Sequence, residues 1–133
     1  MKQNKILLDM SATILHHGHI RLIKKASKYG KVVIGLTKDA QITKFKGYTP
    51  EIKFKHRKEI LENIKGVYKV IPSNFYINKK FLSKNKIDLL CHGDDNLNNI
   101  DKEKIIIFKR TKNISSSLIR TKASKNLKKT VKF

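Results

Sequence analysis

Three histidines fall within four residues, His16-His17-Gly18-His19. They follow a short apolar stretch and open a segment with helical spacing. His16 and His19 are three apart, so a helical first turn puts both on one side. Gly18 leaves room for a ligand to approach the backbone. Unpaired N–H groups and the positive end of the helix dipole point the same way. The expected chemistry is an anion site with two imidazole donors, suited to phosphate. Histidines at i and i+3 also suit a metal, but they give only two ligands with no carboxylate beside them. We therefore assign no protein-bound metal.

Three more segments could serve the same site. His92-Gly93-Asp94-Asp95 ends another apolar run, where a carboxylate could accept hydrogen bonds from an amino group or a ribose. Arg110-Thr111-Lys112-Asn113-Ile114-Ser115-Ser116-Ser117 joins a strand to a helix; Ser115 is a natural N-cap, and three hydroxyls with free N–H groups can cradle phosphate oxygens. Lys44-Phe45-Lys46 and His56-Arg57 add cations. Read singly, these segments are equally a Gly-Asp turn, a capped helix and a solvated basic face. Their shared place just after strands is what joins them.

The elements that must position these residues follow from apolar patterning. Strands are expected at Lys5 to Leu8, Val32 to Leu36, Val67 to Ile71 (stopped by Pro72), Ile87 to Cys91 and Lys104 to Phe108. Helices are expected from His17 to Gly30, with Ile20, Ile23 and Ala26 on one face, and at Lys38 to Phe45. Others are expected at Lys55 to Ile64, with Ile60, Leu61 and Ile64 inward, at Asn78 to Asn85, and from Ser115 to about Lys125. The order β-α-β-α-α-β-α-β-β-α with nearly continuous apolar strands argues a single-domain α/β fold. Its Rossmann-like parallel sheet carries helices on both faces and binds ligand at the carboxyl ends of its strands. The one domain spans residues 1–133, with a basic, frayed tail from about residue 126.

Composition bounds the rest. The 133 residues are 39% apolar, enough for one core. No apolar run reaches the length of a membrane span, and no signal peptide precedes the first strand, so a cytoplasmic location is expected. The single cysteine, Cys91, reads as a small buried residue. The net charge of +21 favours anionic partners without choosing among nucleic acid, acidic membrane and phosphorylated small molecules.

Taken together, the motifs resemble those of the small cytidylyltransferases typified by glycerol-3-phosphate cytidylyltransferase, within the HxGH nucleotidyltransferase superfamily. His16-His17-Gly18-His19 matches HxGH. Lys44 and Lys46 occupy the region of the family's lysines, and His56-Arg57-Lys58-Glu59-Ile60-Leu61 resembles its arginine-bearing helix. Gly93-Asp94-Asp95 matches Gly-Asp-Asp. Arg110-Thr111 with Ile114-Ser115-Ser116-Ser117 matches Arg-Thr-x-x-Ile-Ser-Thr-Thr. Two positions depart. The family's Gly-x-Phe-Asp segment is replaced by Asp9-Met10-Ser11-Ala12-Thr13, with Thr13 in the aspartate's place, and Asn96 stands where a Trp often follows Gly-Asp-Asp. The first departure is similar to nucleotidyltransferase domains fused to phosphoenolpyruvate mutases in phosphonate pathways.

The resemblance implies transfer of CMP from CTP, with Mg²⁺, to a small acceptor that is glycerol-3-phosphate-like or 2-hydroxyethylphosphonate-like. It implies catalytic roles for His16, His19, Lys44, Lys46 and Arg110. It implies nucleotide contacts from Ser11, Gly18, Arg57, Gly93, Asp94, Thr111, Ser115, Ser116 and Ser117. It further implies a homodimer and association with enzymes of phosphonate or cell-surface polymer pathways; no specific nucleic acid is expected, because the basic charge is dispersed through the whole sequence. Competing expectations are an adenylyltransferase of the same superfamily, a non-catalytic nucleic-acid-binding module resting on charge alone, and an inactive relative. The nucleic-acid reading lacks an RNP-like aromatic pattern, a zinc-finger spacing and a helix-turn-helix.

Overall fold

Leu7 points to one face of a sheet and its neighbours Ile6 and Leu8 to the other, and all three are buried. Burial on both faces is why the strands read as unbroken apolar runs. A computed structural model, which describes residues 3–130, places five parallel strands in the order β3-β2-β1-β4-β5. They are β1 (Lys5–Met10), β2 (Lys31–Thr37), β3 (Val67–Ser73), β4 (Leu89–Gly93) and β5 (Ile105–Phe108). The helices are α1 (His17–Ser27), α2 (Asp39–Lys46), α3 (Phe54–Glu62), α4 (Lys79–Lys84) and α5 (Ser116–Thr130). Ile23 and Ala26 of α1 and Leu61 of α3 cover one face, on Ile6, Leu8, Ile34, Val70 and Cys91. Leu82 of α4 covers the other, with Leu7, Val33 and Leu90. The expected Rossmann-like sheet, with helices on both faces, is the fold observed.

The chain runs from β1 outward to β3, then returns to the other side of β1 for β4 and β5. That reversal leaves a crevice at the carboxyl ends of β1 and β4, the place where such sheets bind ligands. β1 sets the site by its register: Leu8 pairs with Cys91, so Asp9 and His92 emerge side by side.

Several local expectations are corrected. Pro72 does not stop β3; the strand continues to Ser73, with Pro72 paired to Leu36. β3 is an edge strand, and an edge tolerates a residue without an N–H. Ile60 does not point inward but is 39% exposed. The inner face of α3 belongs instead to Arg57 and Leu61, four apart. α5 continues beyond Lys125 to Thr130, so that part of the expected tail is helical; residues 131–133 lie outside the described residues. Cys91 is fully buried, and burial pushes its thiol up to about 12, consistent with a packing role.

Candidate active site

The two outer histidines of the motif cap α1 with each other's help. His16 is the N-cap, in extended conformation, and its Nδ1 accepts from the Gly18 N–H at 3.0 Å. His19 Nδ1 accepts from the His16 N–H at 3.2 Å. This is a capping box built from imidazoles in place of the usual hydroxyl and carboxamide or carboxylate. Because each Nδ1 accepts, each neutral ring carries its proton on Nε2, and a second proton would break the cap. Burial first, then His16, Arg110 and Lys46, push His19 down to about 3. Burial, His17 and Arg110 lower His16 as well. Both rings are thus neutral donors at physiological pH. Gly18 serves the cap directly: a Cβ there would lie 2.7 Å from His16 Cε1 and 2.9 Å from Nδ1. The glycine makes room for a histidine ring as much as for a ligand.

These rings line a cleft of about 390 Å³ above the sheet. It brings together His16, His19, Lys46, Arg110, Ser11, Gly18, Gly93, Thr111, Ser115, Ser116 and Ser117 from segments far apart in sequence. The hydroxyls divide their work. Ser115 accepts from the Leu118 N–H at 3.0 Å and caps α5. Ser116 Oγ donates to the Ile14 carbonyl at 2.9 Å and accepts from the Ile14 N–H, fastening α5 to the loop before His16. The N-termini of α5 and α1 therefore lie close together, and residues of both line the cleft, so two positive dipole ends border one space.

Three expected residues are not among those lining the cleft: Lys44, Asp94 and Arg57. Lys44 is exposed, with Nζ 5.2 Å from its neighbour Phe45's ring centre. Asp95, not Asp94, lines the cleft and pairs with Arg110 at 3.2 Å. Arg57 corrects the expectation of a nucleotide contact: it is 2% exposed and works behind the cleft. Its guanidinium donates to the carbonyls of Ile52 at 3.0 Å, Ser11 at 2.6 Å and Thr37 at 3.1 Å, and to Asp39 Oδ1 at 2.5 Å. Asp39 also accepts from the Phe54 N–H and so caps α3, whose N-cap Lys53 offers no side-chain bond. Arg57 thus fixes the β1–α1 loop that carries Ser11.

Sequence reasoning missed an acid–histidine chain on the cleft floor. Asp9 Oδ1 lies 2.5 Å from His92 Nδ1, and His92 Nε2 is 3.5 Å from Asp95 Oδ1. Burial lowers the His92 pKa, but Asp9, with help from Asp95, outweighs it and the net shift is upward. His92 is therefore electrically unlike His16 and His19. Its only sequence signal is that two apolar strands each end in a titratable residue. Phe75, Tyr76 and Tyr48 were also missed; they bring aromatic surface to the cleft. Asn96, in the place of the family's Trp, organises its loop through Asn98 at 2.9 Å, and Asn98 holds the Ile77 N–H at 2.7 Å. Ala12 has a positive φ of 44°, a strained setting for a non-glycine residue and common at functional loops.

Comparison with known proteins decides the family. The cytidylyltransferase-like family model matches residues 11–122. The chain belongs to the cytidylyltransferase-like family. It is 31% identical over 122 residues to a glycerol-3-phosphate cytidylyltransferase of Bacillus spizizenii, covering 87% of this chain and 94% of that one. A protein of the same name from Bacillus subtilis is 29% identical over 121 residues, with the same coverage. One from Staphylococcus aureus is 30% identical over 112 residues, covering 80% and 85%. Among solved structures, a lipopolysaccharide core biosynthesis protein from Thermoplasma volcanium superposes with a TM-score of 0.70 at 20% identity. That match covers 83% of this chain and 99% of that one, and it speaks for the fold. Membership supports nucleotidyl transfer as the general chemistry of the protein. No helix among the described residues is long and apolar enough to cross a membrane.

Proposed function

We propose that this cytidylyltransferase-like protein transfers CMP from CTP to a small acceptor bearing a phosphate or phosphonate, glycerol-3-phosphate-like or 2-hydroxyethylphosphonate-like. The observation that carries the reading is the imidazole cap. It spends both Nδ1 atoms on the backbone and leaves two neutral Nε2–H donors in a cleft faced by a second helix N-terminus.

The acceptor oxygen attacks the α-phosphorus in line; the bond from that phosphorus to the α–β bridging oxygen breaks, and pyrophosphate leaves. The attacking group is already ionised, so the chain need not remove a proton from it. Its task is alignment and charge stabilisation. His16 and His19 donate to the α-phosphate and bridging oxygen as charge grows there. Lys46 and Arg110 neutralise the phosphates. Ser115, Ser117 and the α5 N–H groups hold the β- and γ-phosphates, while Ser116 keeps that helix end in place. The backbone near Gly93 and the aromatic wall of Phe75 and Tyr76 receive the remaining substrate surface. Among the described residues no three of His, Cys, Asp and Glu gather to hold an ion. Mg²⁺ is proposed to arrive on the nucleotide's phosphates.

Pyrophosphate release tests the reading, with CTP, ATP, GTP and UTP each offered a panel of phosphate and phosphonate acceptors. Turnover with CTP and at least one acceptor is expected. Faster turnover with ATP would move the protein to adenylyl transfer.

A further inference from the structure

Arg120, in the second turn of α5, is used by none of the steps above, yet it meets two other segments at once. Its Nε donates to Glu51 Oε2 at 2.5 Å and its Nη2 to Glu51 Oε1 at 2.8 Å, a two-pronged pair with the loop between α2 and α3. Nη2 also donates to Thr13 Oγ1 at 2.6 Å, in the loop between β1 and α1. The guanidinium lies over the Tyr48 ring, 4.3 Å from its centre. Tyr48 Oη in turn stands 3.4 Å from Thr13 Oγ1. Thr13 is 1% exposed and lines the cleft with Tyr48, whereas Arg120 and Glu51 grip the wall from behind. The hydrogen bond from Arg120 holds the Glu51 carboxyl below the usual range, so the pair is charged at neutral pH.

We propose that Arg120 is a positioning residue that fixes the width of the cleft. It ties the loop carrying Tyr48, next to Lys46 at the end of α2, to the first turns of α5, whose Ser115 and Ser117 line the same cleft. These two parts of the lining carry a cation and the anion-binding helix end that a triphosphate must reach together. The pairing also accounts for the departure at residue 13. An aspartate there would stand against Arg120 and supply its countercharge; this chain has the neutral Thr13 and provides the carboxylate from Glu51. A planar guanidinium suits the role, because a single ammonium cannot hold a carboxylate in two prongs, donate to a hydroxyl and stack on a ring.

The kinetic half of the test rests on the nucleotidyl-transfer reading; the exchange half does not. In Arg120→Met, amide hydrogen exchange across residues 47–53 should speed at least about tenfold, since local opening governs such protection. A sub-ångström-to-ångström misplacement should reduce kcat/KM by up to roughly 10²-fold. That loss should appear mainly as a raised KM for the nucleotide, with the melting temperature little changed because the ion pair is half-exposed. Arg120→Lys should recover only part of the loss. Glu51→Gln should raise the KM too, and adding Thr13→Asp to Glu51→Gln should restore most of it. Unchanged exchange at 47–53 in Arg120→Met would overturn the proposal, as would a double variant no better than Glu51→Gln. A wild-type protein that turns over no nucleotide with any acceptor would sink the catalytic reading, and the exchange result would still decide the clamp.

Discussion

Replacing Gly18 by alanine separates catalysis from stability. Gly18 is the second residue of α1, where its N–H bonds to His16 Nδ1. A methyl group there would lie 2.7 Å from His16 Cε1, 2.9 Å from Nδ1 and 3.4 Å from Ile114 Cγ2. The imidazole is a side chain and can swing away, so the helix need not unravel. Losing the cap costs about 1 kcal/mol, while alanine in place of glycine within a helix returns roughly 0.5–1 kcal/mol. The two nearly cancel, and for a domain of this size the melting temperature should move by no more than about 5 °C. The rate has no such offset. With His16 displaced, one donor to the developing charge is lost, at a cost of roughly 10²–10³-fold in kcat. Parallel pyrophosphate-release and thermal-melt measurements on wild type and Gly18→Ala provide the assay. Turnover within about threefold of wild type would refute the reasoning, because it would mean that His16 need not stand where the cap holds it.

Two further perturbations address residues whose roles are read from long-range contacts. Arg57→Met should lower stability by about 3 kcal/mol, since it leaves three carbonyls and Asp39 without their donor in a buried place; thermal melts check it, and an unchanged melting temperature with a raised nucleotide KM would restore Arg57 to substrate contact. Asp9→Asn should lower the pKa of His92, because Asp9 is the chief upward influence on it, and ring chemical shifts followed by NMR across a pH series measure the change. A raised folded-state pKa gives stability that is full below the unfolded value of 6.5 and fades as pH rises through the folded one. The stability gap between wild type and Asp9→Asn should therefore be widest in mild acid and narrow in alkali; a gap independent of pH would show that the pair does not titrate as described.

How much of this was legible in the sequence depended on range. That His16 and His19 share one helical turn could be anticipated, because helix geometry alone brings them together; that their Nδ1 atoms would take up the Gly18 and His16 N–H groups, expected to be unpaired, could not. The hydroxyl run on α5 was legible for the same reason, yet its division of labour was not. Ser116 is committed to Ile14, 102 positions away, and no local pattern marks which of three serines will meet that loop. Arg57 looked like a substrate contact because its segment resembles the family's arginine-bearing helix and adds a cation beside the other motifs. What made burial tolerable was three carbonyls from three different segments, together with Asp39, and those emerge only from the folded sheet. The same holds for Asp9 and His92, 83 positions apart and adjacent only through the β1–β4 register. A sequence read along one dimension finds groups that one helix turn or one loop assembles. The neutral His19 and the acid-paired His92, shifted in opposite directions, are alike in sequence and distinguished by what the fold places beside them.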